Sequence, residues 1–358
     1  MTTSKSDTTR DVTVQRYNPS LRVAWDDFVR SAPDASIYHG TWWMDVVSRC
    51  FSHENVSLLA WDDQGRIRAV LPLFRVKGWR EHRLVSVPLR DQGGILGDVA
   101  GTHALLREAV ALTGSNNCAY LTLKQGGELP EQKEIRENGL IPFSHWVTNE
   151  VALPLALTSN TIKGAALRNV RKAERTGVTV ELGADAILAE RFYWLFRETR
   201  KRLGVPTYSR HFFLTLATFP EQVKIILCSK DERDLAGAVI LFSNRKAAYG
   251  YAANSLSRRE LRAADLVVWK AIHWASDQGL TVFDFGADSP LQTELIRFKQ
   301  KWGAQPRLLH YYYYLHKAKR IPTQDNAEPK WKLIRKSISL LPDVIFDTFS
   351  HWAVKHVD

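Results

Sequence analysis

Apolar positions recur along the chain at two spacings, and the spacing sets the elements. Behind Asn18-Pro19-Ser20, the residues Leu21, Trp25, Phe28 and Val29 fall on one side of a helical repeat, which predicts an amphipathic helix to about Ser31. A short helix follows near Thr41–Cys50. Val56–Trp61 and Ile67–Phe74 are strand-like runs around Asp62-Asp63-Gln64-Gly65 and predict a hairpin. A strand at Arg83–Val87 leads into the Gly-rich loop Arg90-Asp91-Gln92-Gly93-Gly94. A helix at about Thr102–Thr113, a strand at Ala119–Lys124, a short helix at 131–138 and a strand at 146–153 complete this half.

The second half repeats that order. Ser159-Asn160-Thr161 opens a helix that Gly177 closes, the residue types that suit a helix start and stop. A strand at Val178–Leu182 and a long helix at 185–202 follow. Val223–Cys228 and Ala236–Phe242 form a hairpin around Lys230-Asp231-Glu232-Arg233, with a third strand at Ala247–Ala253. A helix at 262–278 ends at Gly279. Thr281–Phe285, a helix at 291–301 and a strand at Leu308–Leu315 finish the pattern. The shared element order predicts a mixed α/β (α+β) fold of two tandem copies of one unit. The expected divisions are 11–154, a helical arm or linker at 155–205, a second unit at 206–320 and a basic amphipathic tail at 321–358. Residues 1–10 read as a loose tail.

Composition narrows the class. In 358 residues, 45% are hydrophobic and 24% charged, proportions of a folded chain. No run approaches the ~18–20 apolar residues a membrane helix needs. The polar start MTTSKSDTTRD is no secretory signal. Cys50, Cys118 and Cys228 lie far apart and make neither a disulfide framework nor a metal-ligand spacing, which suits the cytoplasm. No metal is expected. The formal charge of +11 favours acidic partners such as phosphates, nucleotides, RNA or an anionic membrane face, and serves solubility equally well. In the tail, Trp331, Leu333, Ile334, Ile338, Leu340 and Leu341 mix with Lys330, Lys332, Arg335 and Lys336. Such a helix suits either peripheral contact with the inner membrane face or docking on the body of the protein.

Three segments carry candidate chemistry. Arg168, Arg171, Lys172 and Arg175 differ by three and four, so they share one helix face, with Ile162, Ala166, Val170 and Ala173 opposite. Four adjacent cations repel, and a phosphate relieves that repulsion; the alternative is a solvated face. Asp284 and Asp288 in Phe283-Asp284-Phe285-Gly286-Ala287-Asp288 follow a strand, at the end where open α/β sheets bind ligands. Lys299, between Phe298 and Trp302, is a cation in aromatic surroundings, suited to stabilising an anionic intermediate or to snorkelling to the surface. Tyr38, His39 and Trp43, with Asp91, Gly93 and Gly94, suit the wall of a cleft, His39 being either a base or a structural histidine. Tyr251, on the third strand, joins the substrate-binding candidates. There is no Walker loop, no Gly-x-Ser-x-Gly elbow, no His-Glu-x-x-His and no Gly-x-Gly-x-x-Gly after a strand, so nucleoside-triphosphate, serine-hydrolase, zinc-protease and dinucleotide chemistries lack their sites.

These segments together resemble the FemAB-like branch of the GNAT acyltransferase superfamily, in particular FemAB-related proteins of exopolysaccharide and PEP-CTERM systems. The resemblance rests on Tyr38-His39-Gly40-Thr41-Trp42-Trp43, Leu84-Val85-Ser86-Val87-Pro88 with Asp91-Gln92-Gly93-Gly94, and Arg168-Asn169-Val170-Arg171-Lys172-Ala173. It continues through Leu203-Gly204-Val205-Pro206, Asp284-Phe285-Gly286 and Phe298-Lys299-Gln300-Lys301-Trp302-Gly303. It implies two tandem GNAT-like domains. It also implies transfer of an aminoacyl group from aminoacyl-tRNA, or of an acyl group from acetyl-CoA or another acyl-CoA. On that resemblance, Arg168, Arg171 and Lys172 contact substrate phosphates and Lys299 stabilises the transfer. The chain departs from similar members at Ala287-Asp288, where they have Arg-Ser, and at Gln92, where they have Tyr. A usual GNAT cradles pyrophosphate with Gln/Arg-x-x-Gly-x-Gly/Ala; here Ser255–Ala264 has no glycine, and Arg258, Arg259 and Arg262 offer side chains instead.

The expected function is therefore acyl or aminoacyl transfer to an amine or hydroxyl of a phosphate-bearing envelope or exopolysaccharide precursor, small or lipid-linked. Lys299 stabilises the oxyanion and Asp284 positions or deprotonates the nucleophile, with no tightly bound cofactor. On this reading Lys299→Ala loses turnover but little folding. An acetyl-CoA-dependent sugar acetyltransferase and a non-catalytic scaffold binding RNA are the alternatives. tRNA is a partner in the aminoacyl version; DNA is not expected.

Overall fold

The computed structural model describes residues 12–78, 81–154, 162–322 and 330–356. The described residues form seventeen strands and eleven α-helices, numbered here in chain order. They divide into two compact units. One comprises Met1–Met44, His53–Ser144 and His310–Pro322; the other comprises Asp45–Ser52, His145–Leu309 and Thr323–Asp358.

The first unit holds β1 (Thr13–Arg16), β2 (Glu54–Asn55), β3 (Leu58–Trp61), β4 (Ile67–Leu71), β5 (Phe74–Lys77), β6 (His82–Val85), β7 (Leu96–Gly97), β8 (Tyr120–Gln125), β9 (Leu140–Phe143) and β17 (His310–Leu315). They make a four-stranded sheet, β1-β3-β4-β7, and a six-stranded sheet, β2-β5-β6-β8-β17-β9. The predicted hairpin at Asp62 is present as β3 and β4. The carboxylate of Asp62 accepts the N–H groups of Gln64 and Arg66, which closes the turn. Helix α3 (Val99–Ser115) starts at Asp98, whose side chain accepts Gly101 N–H. Its residues Leu105, Leu106, Ala109 and Leu112 fill the core with Leu58, Leu71, Leu84 and Leu121.

The second unit is one seven-stranded sheet. Its strands are β10 (Val147–Ala152), β11 (Thr179–Gly183), β12 (Val223–Lys230), β13 (Arg233–Ser243), β14 (Lys246–Asn254), β15 (Val282–Asp288) and β16 (Gln305–Leu308), in the order β11-β12-β13-β14-β15-β10-β16. Two tight hairpins shape it. Asp231 and Glu232, then Asn244 and Arg245, all have positive φ, as two-residue turns that match strand twist require. One face packs on α5 (Gly164–Arg175) and α8 (Ala263–Asp277) through Ala166, Val170, Ala173, Leu266, Val267 and Ala271. The alternate residues of β13 and β14 meet α6 (Ala186–Leu203) and α7 (Arg210–Leu216) in an aromatic cluster of Phe196, Tyr208, Phe212, Phe213 and Tyr251.

Three features differ from the sequence expectation. First, the strand at 146–153 lies in the second unit, where β10 pairs β15 and β16, while β17 lies in the first, pairing β8 and β9. The single run expected at Leu308–Leu315 is divided at buried Leu309 between β16 and β17. Second, residues 164–203 are no inserted arm: α5, β11 and α6 are integral to the second unit, β11 forming an edge of its sheet. The expected helix start at Ser159-Asn160-Thr161 lies outside the described residues. Third, the tail folds as α10 (Lys330–Ser339) and α11 (Asp343–His356) against α6. Arg197 pairs with Asp343 and Asp347, and buried Phe346, Ser350 and Ala353 form the inner face of α11. One side of the tail is therefore docked on the body of the second unit.

Candidate functional site

The second unit contains a break in its sheet. Strands β14 and β15 run parallel, and their ladder covers only Lys246–Ala248 against Val282–Asp284. Both strands continue, to Asn254 and Asp288, without further pairing to each other. Beyond Ala248 the backbone edges of β14 and β15 no longer satisfy one another, and the C-terminal end of a parallel strand pair is where open α/β sheets admit ligands.

At the end of β14 lies a concavity of about 250 Å³ lined by Asn254, Ser255, Arg258, Arg259, Arg262 and the first residues of α8, with Asn169 of α5 and Phe298 and Lys301 also on its wall. Arg262 is the N-cap of α8 and has a left-handed backbone; no side chain caps the helix. The first residues, Ala263 and Ala264, are small and line the concavity, which sets the positive end of the helix dipole toward an anion there. Arg259, Arg262 and Lys301 are exposed, and no ion pair engages them among the described residues. Arg258 is partly committed, its guanidinium donating to Asp231 at 2.5 Å. Arg202 of α6 holds the strand end by donating to the Asn254 carbonyl at 2.8 Å. Asp265 is the one acidic group on the wall. Burial pushes its carboxyl up, opposed by an amide hydrogen bond from Asn169 and the charges of Arg262 and Lys301.

The other predicted residues of this half gather at a bulge in β15. Val147 faces Asp288 and Thr148 faces Ala287, but Glu150 faces Asp284, so β15 carries one extra residue at Phe285-Gly286. Gly286 supplies the positive φ. The Asp284 carboxylate accepts the Thr148 hydroxyl, and the Gly286 N–H at 2.7 Å. Lys299, on α9 (Thr293–Gln300), donates to the Gly286 carbonyl at 2.9 Å and pairs with Asp288 at 2.6 Å. Asn149 donates to the same Asp288 oxygen at 2.7 Å. The Lys299 and Asp288 side chains are only 7% and 3% exposed, so this is a buried ion pair and not a solvent-facing cation. Asp288, which stands where the family pattern has Ser and follows Ala287 in the place of its Arg, is the counter-ion of Lys299. Removing one partner leaves a buried charge alone, so the expected phenotype of Lys299→Ala changes from lost turnover to lost folding.

Helix α5 presents its predicted faces. Ile162, Ala166, Val170 and Ala173 are buried. Arg168, Arg171, Lys172 and Arg175 are exposed and unpaired. The start of the helix is tied to the pocket wall by Lys163 N–H donating to the Lys301 carbonyl at 3.0 Å. Asn169 lines the pocket, with Arg168 next to it in the chain and Lys172 about one turn further on.

Tyr38, His39, Trp43, Asp91, Gly93 and Gly94 lie in the first unit, where they form a structural knot. His39 is buried and both ring nitrogens are engaged: Nε2 with the Gly94 carbonyl at 3.0 Å, and Nδ1 with the Ser36 N–H and hydroxyl at 2.8 Å. A histidine so held has no nitrogen left to act as a base. Arg90, which opens the Gly-rich loop, is buried over the rings of Tyr38 and Trp43. A Cβ on Gly93 would sit 2.1 Å from Val87 Cγ2, and one on Gly94 would sit 1.7 Å from Gln125 Oε1. The glycines permit close packing. The Asp91 carbonyl accepts the Tyr311 hydroxyl at 2.9 Å. This knot also fills the equivalent break: past the β6–β8 ladder, Ser86 Oγ accepts Lys124 N–H and Gly93 N–H donates to the Lys124 carbonyl.

Tyr251 belongs to the aromatic core against α6 and α7 and does not line the pocket. Sequence reading missed Asn169, Asn254 and Lys301, whose signal was only position next to flagged arginines and Lys299. It also missed His103, Glu131 and Glu134, whose ligand atoms lie within 4.8 Å of one another in the first unit. There His103 Nδ1 is already paired with Glu134 at 2.8 Å.

Residues 163–300 match the family described as Acetyltransferase (GNAT) domain. No curated protein matches the chain in sequence. Among solved structures, the chain is similar to FemX, at 16% identity and a TM-score of 0.69, over 90% of this chain and 100% of that one. It is also similar to L-PGS from Bacillus licheniformis, at 13% identity and a TM-score of 0.58, over 91% of this chain and 99% of that one. A tandem GNAT protein from the clavulanic acid biosynthesis pathway matches at 13% identity and a TM-score of 0.54, over 87% and 100% of the two chains. The matched segment is the unit whose sheet is open. Residues 163–300 thus match a GNAT acetyltransferase domain, and the likeness to FemX and to the tandem GNAT protein shows a fold of the tandem-GNAT kind.

Proposed function

We propose that the second unit transfers an acyl group from a donor whose phosphates sit at the N-terminus of α8 to an amine or hydroxyl of a phosphate-bearing acceptor. The acceptor class is a cell-envelope or exopolysaccharide precursor, lipid-linked or small, met in the cytoplasm with the basic tail toward the inner membrane face. One observation carries the reading: the cationic concavity with an uncapped helix start lies at the end of the strand that diverges from its parallel neighbour. A diphosphate there replaces the missing glycines with Arg259, Arg262 and Lys301. Acyl-CoA fits this arrangement best. The exposed cations of α5 favour aminoacyl-tRNA as the second donor reading, since a polyanion longer than a diphosphate would span pocket and helix.

In the reaction, the nucleophile forms a new N–C or O–C bond to the donor carbonyl, and the donor's C–S or C–O bond breaks. The nucleophile's proton ends on the leaving thiolate or alkoxide. Asp284, at the point of divergence, is assigned to orient the nucleophile and carry that proton. Lys299 is assigned to the carbonyl oxygen. Its charge is balanced by Asp288, so its contribution is smaller than that of an unpaired ammonium. Arg168, Arg171 and Lys172 are assigned to acceptor or donor phosphates.

Isothermal titration with CoA and, separately, with charged tRNA tests the reading. Arg262→Ala removes one charge-assisted contact worth about 1.5–3 kcal/mol, so donor affinity should fall roughly 10- to 100-fold. CoA binding with that loss supports the acyl-CoA version. Binding of charged tRNA alone, weakened by Arg171→Ala, supports the aminoacyl version. Binding of neither, or binding indifferent to Arg262, overturns the pocket assignment.

A further inference from the structure

Nine of the seventeen exposed large apolar side chains among the described residues come from α6, α10, α11 and the turn joining the last two. On α11 the outer face is Val344, Ile345, Thr348, His351, Trp352 and Lys355, opposite buried Phe346, Ser350 and Ala353. Val344 is 78% exposed, and Leu340 in the turn is 75% exposed. On α10 the outer face is Lys332, Leu333, Ile334, Lys336 and Ser337. The one exposed carboxylate of the pair, Asp343, lies at the start of α11. The two acids of the helix pair, Asp343 and Asp347, are paired with α6: Asp343 with Arg197 and Lys201, and Asp347 with Arg197. Those pairs hold the Asp343 carboxyl below the usual carboxylate range. Gly204, at the end of α6, lets α10 approach: a Cβ there would lie 1.8 Å from the Arg335 carbonyl oxygen. The pair is thus anchored on one side, and leaves apolar side chains and Lys332, Lys336 and Lys355 on the other.

We propose that this outer face of α10 and α11 rests on an anionic lipid surface. Large apolar residues interleaved with lysines, on a helix pair too short and too polar to cross a bilayer, are the composition of an interfacial helix. A protein partner of ordinary chemistry would be met by a face with both signs of charge; here the exposed carboxylate, Asp343, is already paired with Arg197 and Lys201, and the charges left over are cations, which complement an anionic headgroup layer. The proposal extends the reading of a lipid-linked acceptor. Vesicle binding needs no acyl donor, so it and the transferase reading fail separately.

The test is co-sedimentation of the full chain with vesicles of phosphatidylcholine alone and with about one-third phosphatidylglycerol. Binding is expected only to the anionic vesicles and should weaken with salt. Each of Lys332→Ala, Lys336→Ala and Lys355→Ala should weaken binding about fivefold, the counterpart of roughly 1 kcal/mol per lysine near such a surface. The exposed substitution Val344→Glu should weaken it more than tenfold while leaving the melting temperature unchanged. Equal binding to both vesicle types, no binding to either, or lysine variants that bind as the wild type does, would each overturn the proposal. So would a dimer in sedimentation equilibrium that Val344→Glu dissociates, since the face would then be a self-interface.

Discussion

Replacing Lys299 by Ala should unfold more than it inactivates. The ammonium lies 2.6 Å from the Asp288 carboxylate and 2.9 Å from the Gly286 carbonyl, with both charged side chains more than nine-tenths buried. Deleting it leaves the buried Asp288 charge without its ammonium counter-ion, although the Asn149 amide still donates to it at 2.7 Å. Breaking a buried pair on one side costs about 3–5 kcal/mol. For a domain of this size each kcal/mol shifts the melting temperature by about 2–4 °C, so the second unit should melt roughly 6–20 °C lower. Differential scanning calorimetry reads this directly. The double variant Lys299→Met with Asp288→Asn removes the orphaned charge and keeps an acceptor for Asn149, and should recover most of the loss. A Lys299→Ala protein that melts within about 2 °C of wild type but has lost turnover would refute this. The ammonium would then be working toward substrate, with its pairing to Asp288 of little weight.

Other outcomes follow from the same geometry. Burial raises the Asp265 carboxyl, so the charged form is the penalised one. Its stabilising contribution is present below the ordinary carboxylate range and is lost as pH rises through the raised value. A charged Asp265 also repels a bound phosphate, so CoA affinity measured by titration calorimetry should fall across that rise, and Asp265→Asn should bind more tightly and flatten the profile. Gly94→Ala places a Cβ 1.7 Å from Gln125 Oε1, whose amide bonds both the N–H and the carbonyl of Ile95. Overpacking of this kind costs about 1–3 kcal/mol, to be seen in the first unit's melting transition with donor binding by the second unit intact.

Much of the architecture was legible in local pattern. The hairpin turn at Asp231-Glu232, the helix capped by Asp185 and closed by Gly204, and the apolar face of α5 all depend on neighbours within a few residues, and each stands where the pattern put it. The cationic face of α5 was legible for the same reason. Glycine at 93 and 94 signalled a tight place, yet a glycine that lines a ligand and one that admits Val87 or Gln125 look identical in sequence. The same limit applies to His39, whose two ring nitrogens are spoken for by Ser36 and by Gly94, a residue distant in the chain.

What the sequence by itself determined is most of the longer helices and hairpins, their order and the cationic character of the second half, because periodicity, caps and charge are local properties. Only the tertiary structure decided which sheet each strand joins. β10 and β17 have similar local patterns, and it is pairing with β15 and β16 or with β8 and β9 that assigns them to their units. Tertiary structure likewise turned Lys299 from a candidate free cation into half of a buried pair, and brought Asn169, Asn254, Arg262 and Lys301 to one concavity. Burial and counter-charge come from residues far apart in the chain, and no window of sequence contains both.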